Sequence, residues 1–125
     1  MGAVSLMALY ATVEDCRDPL VSVGEADLLA ADRAVEALLR NLGIDPAAVV
    51  DAAGRALLQD LAVAEATATA ATGAAVESDS PLWAKAAAYR AQAKVLAARC
   101  NREALGVAAL GSGAAGYASI TLGRG

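Results

Sequence analysis

Acid/base, nucleophilic and metal chemistry all depend on a short menu of side chains, and this sequence holds little of it. There is no histidine, and Cys16 and Cys100 are the only thiols. Ser–His and Cys–His nucleophilic schemes, in which an imidazole takes the proton, are therefore closed to it. A structural zinc asks for about four ligands drawn from Cys, His and carboxylate. Two cysteines 84 positions apart do not suggest one, and they read as free thiols of a reducing compartment.

Carboxylates are more numerous, among them Asp27, Asp32, Glu36, Asp51, Asp60 and Glu65. They fall mainly on polar helix faces between apolar stripes, where solvation explains them. Asp60 and Glu65 are five positions apart, so they do not share a helix face as an i, i+3 or i, i+4 dyad would. GSGAAG at 111–116 matches G-x-G-x-x-G letter for letter. A dinucleotide site, however, needs that turn after a strand and before a helix, with an acid about 20 positions on. Here it follows a helical pattern and only nine residues remain, so it reads as a linker. The expectation is a protein that is not an enzyme and holds no cofactor or metal.

The elements that would position these residues are helical. The chain is 58% hydrophobic but 3% aromatic and has no Phe, so its apolar content is alanine with Leu and Val. Alanine buries little area, at about 25 cal/mol per Å² of apolar surface. Stability must then rest on close helix packing and on contacts with other chains. At 125 residues there is room for one core.

Thr12 with Asp15 has the capping-box form and predicts a short first helix ending near Pro19. Ser22 or Gly24 opens a second, in which Leu28, Ala31, Val35, Leu38 and Leu42 form one stripe and Gly43 supplies the stop. Asp45 and Pro46 open a third that runs to about Ala71 through a threonine–alanine stretch. Ser80 and Pro81 open a fourth. There Leu82, Ala86, Tyr89, Ala93, Leu96 and Cys100 step by four and three, the strongest periodicity in the chain. The fold expected is mostly α: an antiparallel bundle of about four helices over residues 1–105. A glycine-rich linker and an extended, β-prone C-terminal arm occupy 106–125.

Charge is divided unevenly. Residues 1–79 hold 13 acids and 4 bases, and residues 80–125 hold 1 acid and 6 bases, within a net charge of −4. A basic patch of Lys85, Arg90, Lys94, Arg99 and Arg102 lies in the fourth helical region. With few aromatics and no basic tail it does not suggest nucleic-acid binding. It reads as half of a protein contact whose counterpart includes Asp51, Asp60 and Glu65. That contact is either within the bundle or head to tail between copies, the kind that closes into a ring when the rotation suits. The uncharged run 104–123 has the length of a membrane helix, but five glycines and four hydroxyls break it, so no membrane is expected. No signal peptide is expected either, since MGAVSLMALY lacks a basic start.

YASITL at 117–122 favours extended structure. A lone strand leaves its backbone groups unpaired. The arm is therefore expected to pair with residues 4–10 or to add to a sheet on another protein, with Tyr117, Ile120 and Leu122 as its contacts and Arg124 holding an anion; the alternative is a disordered tail, common at a glycine-rich terminus.

YATVEDCRD at 10–18, VGEADLLAADRAVEALLRNLGIDP at 23–46, SPLWAKAAAYR at 80–90 and YASITLGRG at 117–125 together resemble small head-to-tail adaptor proteins of tailed bacteriophages. The resemblance is one of layout over most of the chain. It implies a helical bundle that forms a twelvefold ring beneath the portal protein, with the second to fourth helices at the ring contacts. Residues 117–124 would then be the portal-docking arm, a further neck or tail-completion protein would bind below, and DNA would pass through a negative lumen that does not hold it. The location implied is the virion neck, after assembly in the host cytoplasm. The competing expectation is a small helical regulatory or chaperone-like module that binds one partner through the Leu82 to Cys100 face.

Overall fold

The structure, a computed structural model, describes residues 8–75 and 80–107. They form three α-helices, α1 (Glu25–Asn41), α2 (Ala52–Ala74) and α3 (Pro81–Arg99), with single 310 turns at Val13–Asp15 and Pro46–Ala48. The chain is mostly α as its composition and periodicity predict, but the described residues hold three long helices rather than about four. No strand occurs among them. The expected arm, with Tyr117, Ile120, Leu122 and Arg124, lies outside the described residues.

The predicted first helix is one turn. Asp15 does accept from the Thr12 N–H at 2.9 Å, but Cys16 is already extended at φ −97 and ψ 100. Pro19 pushes the residue before it out of the helical region, and so short a segment cannot offset the cost of helix nucleation.

Of the two expected starts, α1 takes Gly24 rather than Ser22, and the Gly24 N–H is capped by the Asp27 carboxylate at 3.0 Å. It stops at Gly43, which takes φ +73, a conformation that disfavours any Cβ. Ile44 N donates to Leu39 O at 2.8 Å and Gly43 N to Arg40 O at 3.0 Å, the two bonds of a Schellman stop. Leu39 and Ile44 are both buried beneath that stop. This is why the α1 stripe turns to Leu28, Ala31, Val35 and Leu39, leaving Leu38 half-buried and Leu42 exposed.

α2 does not begin at Pro46. Asp45 caps a single turn by accepting from Ala47 N at 3.0 Å. The chain then straightens at Val49, which sinks into the core while Val50 stays 77% exposed. Asp51 restarts the helix by accepting from Gly54 N at 3.2 Å. The two outer helices pack on α2 and have at most marginal contact with each other. A central helix must bury more than one face, and alanine is what allows it. Leu58, Leu61, Ala62, Ala64, Ala66, Thr67, Ala68, Ala70 and Ala71 are all buried. The hydroxyls of Thr67, Thr69 and Thr72 are spent on the i−4 carbonyls of Val63, Glu65 and Ala68, at 2.7, 2.9 and 2.8 Å.

α3 opens at Ser80, whose hydroxyl accepts from Leu82 N at 3.2 Å, with Pro81 in the first position. Its heptad stripe faces α2: Ala86, Ala93, Leu96 and Cys100 are buried, and Leu82 and Tyr89 half-buried. After α3 the chain makes one more turn, ended by a second Schellman pair, Val107 N to Arg102 O at 2.8 Å and Gly106 N to Glu103 O at 3.1 Å. Leu105, fully buried, closes the core against the start of α2. Gly54 permits that approach, since a Cβ there would stand 2.5 Å from the Leu105 carbonyl oxygen. Gly106, read from sequence as the first linker residue, is instead a fitted stop at φ +69 packed against Asp51.

Candidate docking faces

Residues 8–24 form a strap that crosses the helices before the chain enters α1. Leu9 N donates to Asp32 Oδ2 of α1 at 2.9 Å, and the Tyr10 hydroxyl reaches Glu36 Oε2 at 3.5 Å. Burial first, and then the charges of Glu36 and Asp32, push the Tyr10 phenol above its ordinary range. Asp32 is only 7% exposed, and its second oxygen has no hydrogen-bond partner among the described residues. Ala11, Val21 and Val23 are buried along the strap.

The strap is locked to α3 by Asp18. One carboxylate oxygen, Oδ2, accepts from Lys85 Nζ at 2.7 Å and from the Tyr89 hydroxyl at 2.7 Å. The other accepts from Leu20 N at 2.9 Å. The hydrogen bond from Lys85, then those from Leu20 and Tyr89, hold the Asp18 carboxyl down at about 2. Donation to Asp18 in turn raises the Tyr89 phenol. The spacing of Asp18 and Lys85, 67 residues apart, gives no sequence signal for this lock.

Lys85 is therefore spent within the chain, and two more of the basic patch also make bonds within it. Arg90 Nη2 donates to Thr72 Oγ1 at 2.8 Å, and Arg102 to the Gly43 carbonyl. Among the described residues the ion pairs are Lys85–Asp18 at 2.7 Å and Arg40–Glu36 at 3.6 Å, so Lys94 and Arg99 of α3 lack a carboxylate partner. Of the acids expected to face them, Asp51 is the α2 cap and Asp60 lies elsewhere. Asp60 lines a cleft of about 250 Å³ with Asp15, Arg17, Gln59 and Gln92. Glu65 does share a groove of about 190 Å³ with Arg90 and Lys94, without reaching ion-pair distance.

Burial raises both thiols, Cys16 and Cys100, above their ordinary range. Among the described residues no group of three or more Cys, Asp or Glu is placed to hold a metal, and no helix is long and apolar enough to cross a membrane. The hollows between elements are open clefts of about 190 to 400 Å³. Compared with known protein families, with curated proteins and with solved structures, the chain matches none.

Proposed function

We propose that this chain is a structural virion protein, a head-to-tail adaptor that forms a ring of copies below a phage portal and links capsid to tail around the DNA exit path. The observation that carries the reading is the unspent charge of α3: of its four cations only Lys85 has a carboxylate partner among the described residues. Exposed cations that a chain does not neutralise itself are available to a partner surface.

In this reading the body makes lateral contacts between copies. Residues 117–124 are the arm that folds on the portal, through Tyr117, Ile120, Leu122 and Arg124. Val107 is held near the α2 N-terminus, because Leu105 and Gly106 are wedged against Gly54 and Asp51. The alternative, a regulatory module working through the Leu82 to Cys100 face, is weakened because that face is already packed on α2.

Backbone hydrogen exchange on residues 104–125, in the purified chain and in its native assembly, tests the proposal. Amides 117–122 are expected to exchange freely alone and to gain protection in the assembly. Protection already present in the isolated chain would mean that the arm pairs internally, and protection in neither state would leave a passive tail. Either result removes the docking role.

A further inference from the structure

The strap is fastened unequally at its two ends. At Asp18 one carboxylate takes three donors, the Lys85 ammonium and the Tyr89 hydroxyl at 2.7 Å and the Leu20 N–H at 2.9 Å. Opposite charges meet there, and Val21 and Val23 are buried just beyond. The Leu9 end rests on Asp32, which is only 7% exposed and takes a single neutral donor, the Leu9 N–H at 2.9 Å. Its other oxygen, Oδ1, is buried without a hydrogen-bond partner, and no cation pairs with it among the described residues. A buried charge costs free energy unless it is paired and fully hydrogen-bonded. Glu36 adds to that cost, because it stands one turn further along α1 as a like charge at i, i+4. It meets the strap only through a long 3.5 Å bond from the Tyr10 hydroxyl.

Little else holds residues 8–11. Among the described residues, no backbone–backbone hydrogen bond ties them to the body. Leu9 is 63% exposed and Ala8 and Tyr10 are half-buried, so the one buried side chain of the segment is the methyl of Ala11. From Thr12 the chain closes on itself. Thr12 N donates to Asp15 Oδ2 at 2.9 Å, Asp15 N to Thr12 O at 3.0 Å and Cys16 N to Val13 O at 3.0 Å. That turn keeps its bonds whether or not the segment before it is seated, which suits it to act as a hinge.

We infer that the strap is a latch that opens from one end: residues 8–11 swing off α1 about the turn at 12–16 while Asp18 stays locked to α3. The motion returns Asp32 and Glu36 to water, which offsets the burial lost at Ala11. It also joins two hollows. A cleft of about 370 Å³ and another of about 400 Å³ share Leu9, Tyr10 and Arg55 in their walls. With the segment lifted they become one groove between α1 and the start of α2, floored by Ala52, Arg55 and Ala56 and edged by Glu36 and Arg40.

Native-state hydrogen exchange on the full chain, followed by NMR at rising urea below the unfolding transition, tests the latch. The Leu9 amide is expected to be at least about tenfold less protected than those of Leu20 and Val21, which donate to Asp18. Its protection should scarcely change with urea, because a small opening exposes little surface. Asp32→Asn keeps an acceptor for Leu9 and removes the buried charge. It should therefore raise Leu9 protection at least about tenfold and leave Leu20 and Val21 as they are.

Leu9 protection that falls or stays the same in D32N would overturn the latch, since the carboxylate would then be holding the strap or not bearing on it. In the wild type alone, equal protection and equal urea dependence at Leu9, Leu20 and Val21 would overturn it too, because the strap would then open as a whole.

Discussion

At the scale of single residues, Asp18 has the most to lose with pH. Its carboxyl sits at about 2 in the folded chain against an ordinary value of 3.8. A carboxyl depressed on folding contributes stability above the unfolded value and loses it as pH falls through the folded one. The strap lock is therefore complete above about pH 4 and released on acidification toward about pH 2. In D18N that part of the acid dependence should vanish, and hydrogen exchange at Leu20 to Val23 should be fast at neutral pH. Protection of those amides in D18N equal to the wild type would show that the lock does not hold the strap.

Gly54 and Gly73 offer a second residue-scale contrast. A methyl at Gly54 would collide with the Leu105 backbone, whereas one at Gly73 meets nothing within 4 Å. Gly54→Ala should cost about 1 to 3 kcal/mol in chemical denaturation. Gly73→Ala, on an exposed helical site, should gain about 0.5 to 1 kcal/mol.

At the scale of elements, the predicted and observed boundaries agree where one local signal acts alone. Gly43 marks the stop of α1 and Ser80 with Pro81 the start of α3 as read, and the heptad stripe of α3 is the face it buries. They disagree where two signals compete. Asp45 with Pro46 and Asp51 with Gly54 both offer a helix start, and the burial of Val49 between them hands α2 to the second. Asp51→Ala should therefore cost about 1 kcal/mol, in the usual range for a lost N-cap. Asp45→Ala, which uncaps a single turn, should cost less. Urea midpoints of the two variants decide between this start and the one read from sequence. Of the expected contact residues, Glu65 could be matched to Arg90 and Lys94 only by folding. The Asp18, Lys85 and Tyr89 lock joins positions too far apart for any local spacing to reveal.

At the scale of the whole molecule, packing on the core runs at least to Val107, since Gly106 is a fitted stop and Val107 is packed on the core. Truncation after Val107 should leave the melting temperature unchanged and abolish recruitment to the assembly. Truncation after Ala104 removes fully buried Leu105 and should cost about 2 to 5 kcal/mol, the range for losing a buried leucine side chain. Equal melting of the two truncations would mean that the last turn is not part of the folded unit.

The distribution of aromatic rings has an optical consequence. With no Phe in the chain and its single tryptophan outside the core, indole emission is already partly that of a wet side chain in the native state. Denaturation should shift that emission only slightly, so a fluorescence melt would understate how cooperatively the core is lost. Occupation of the outer flank of α3 should instead move the emission to the blue, which gives titrations of assembly a signal that needs no label.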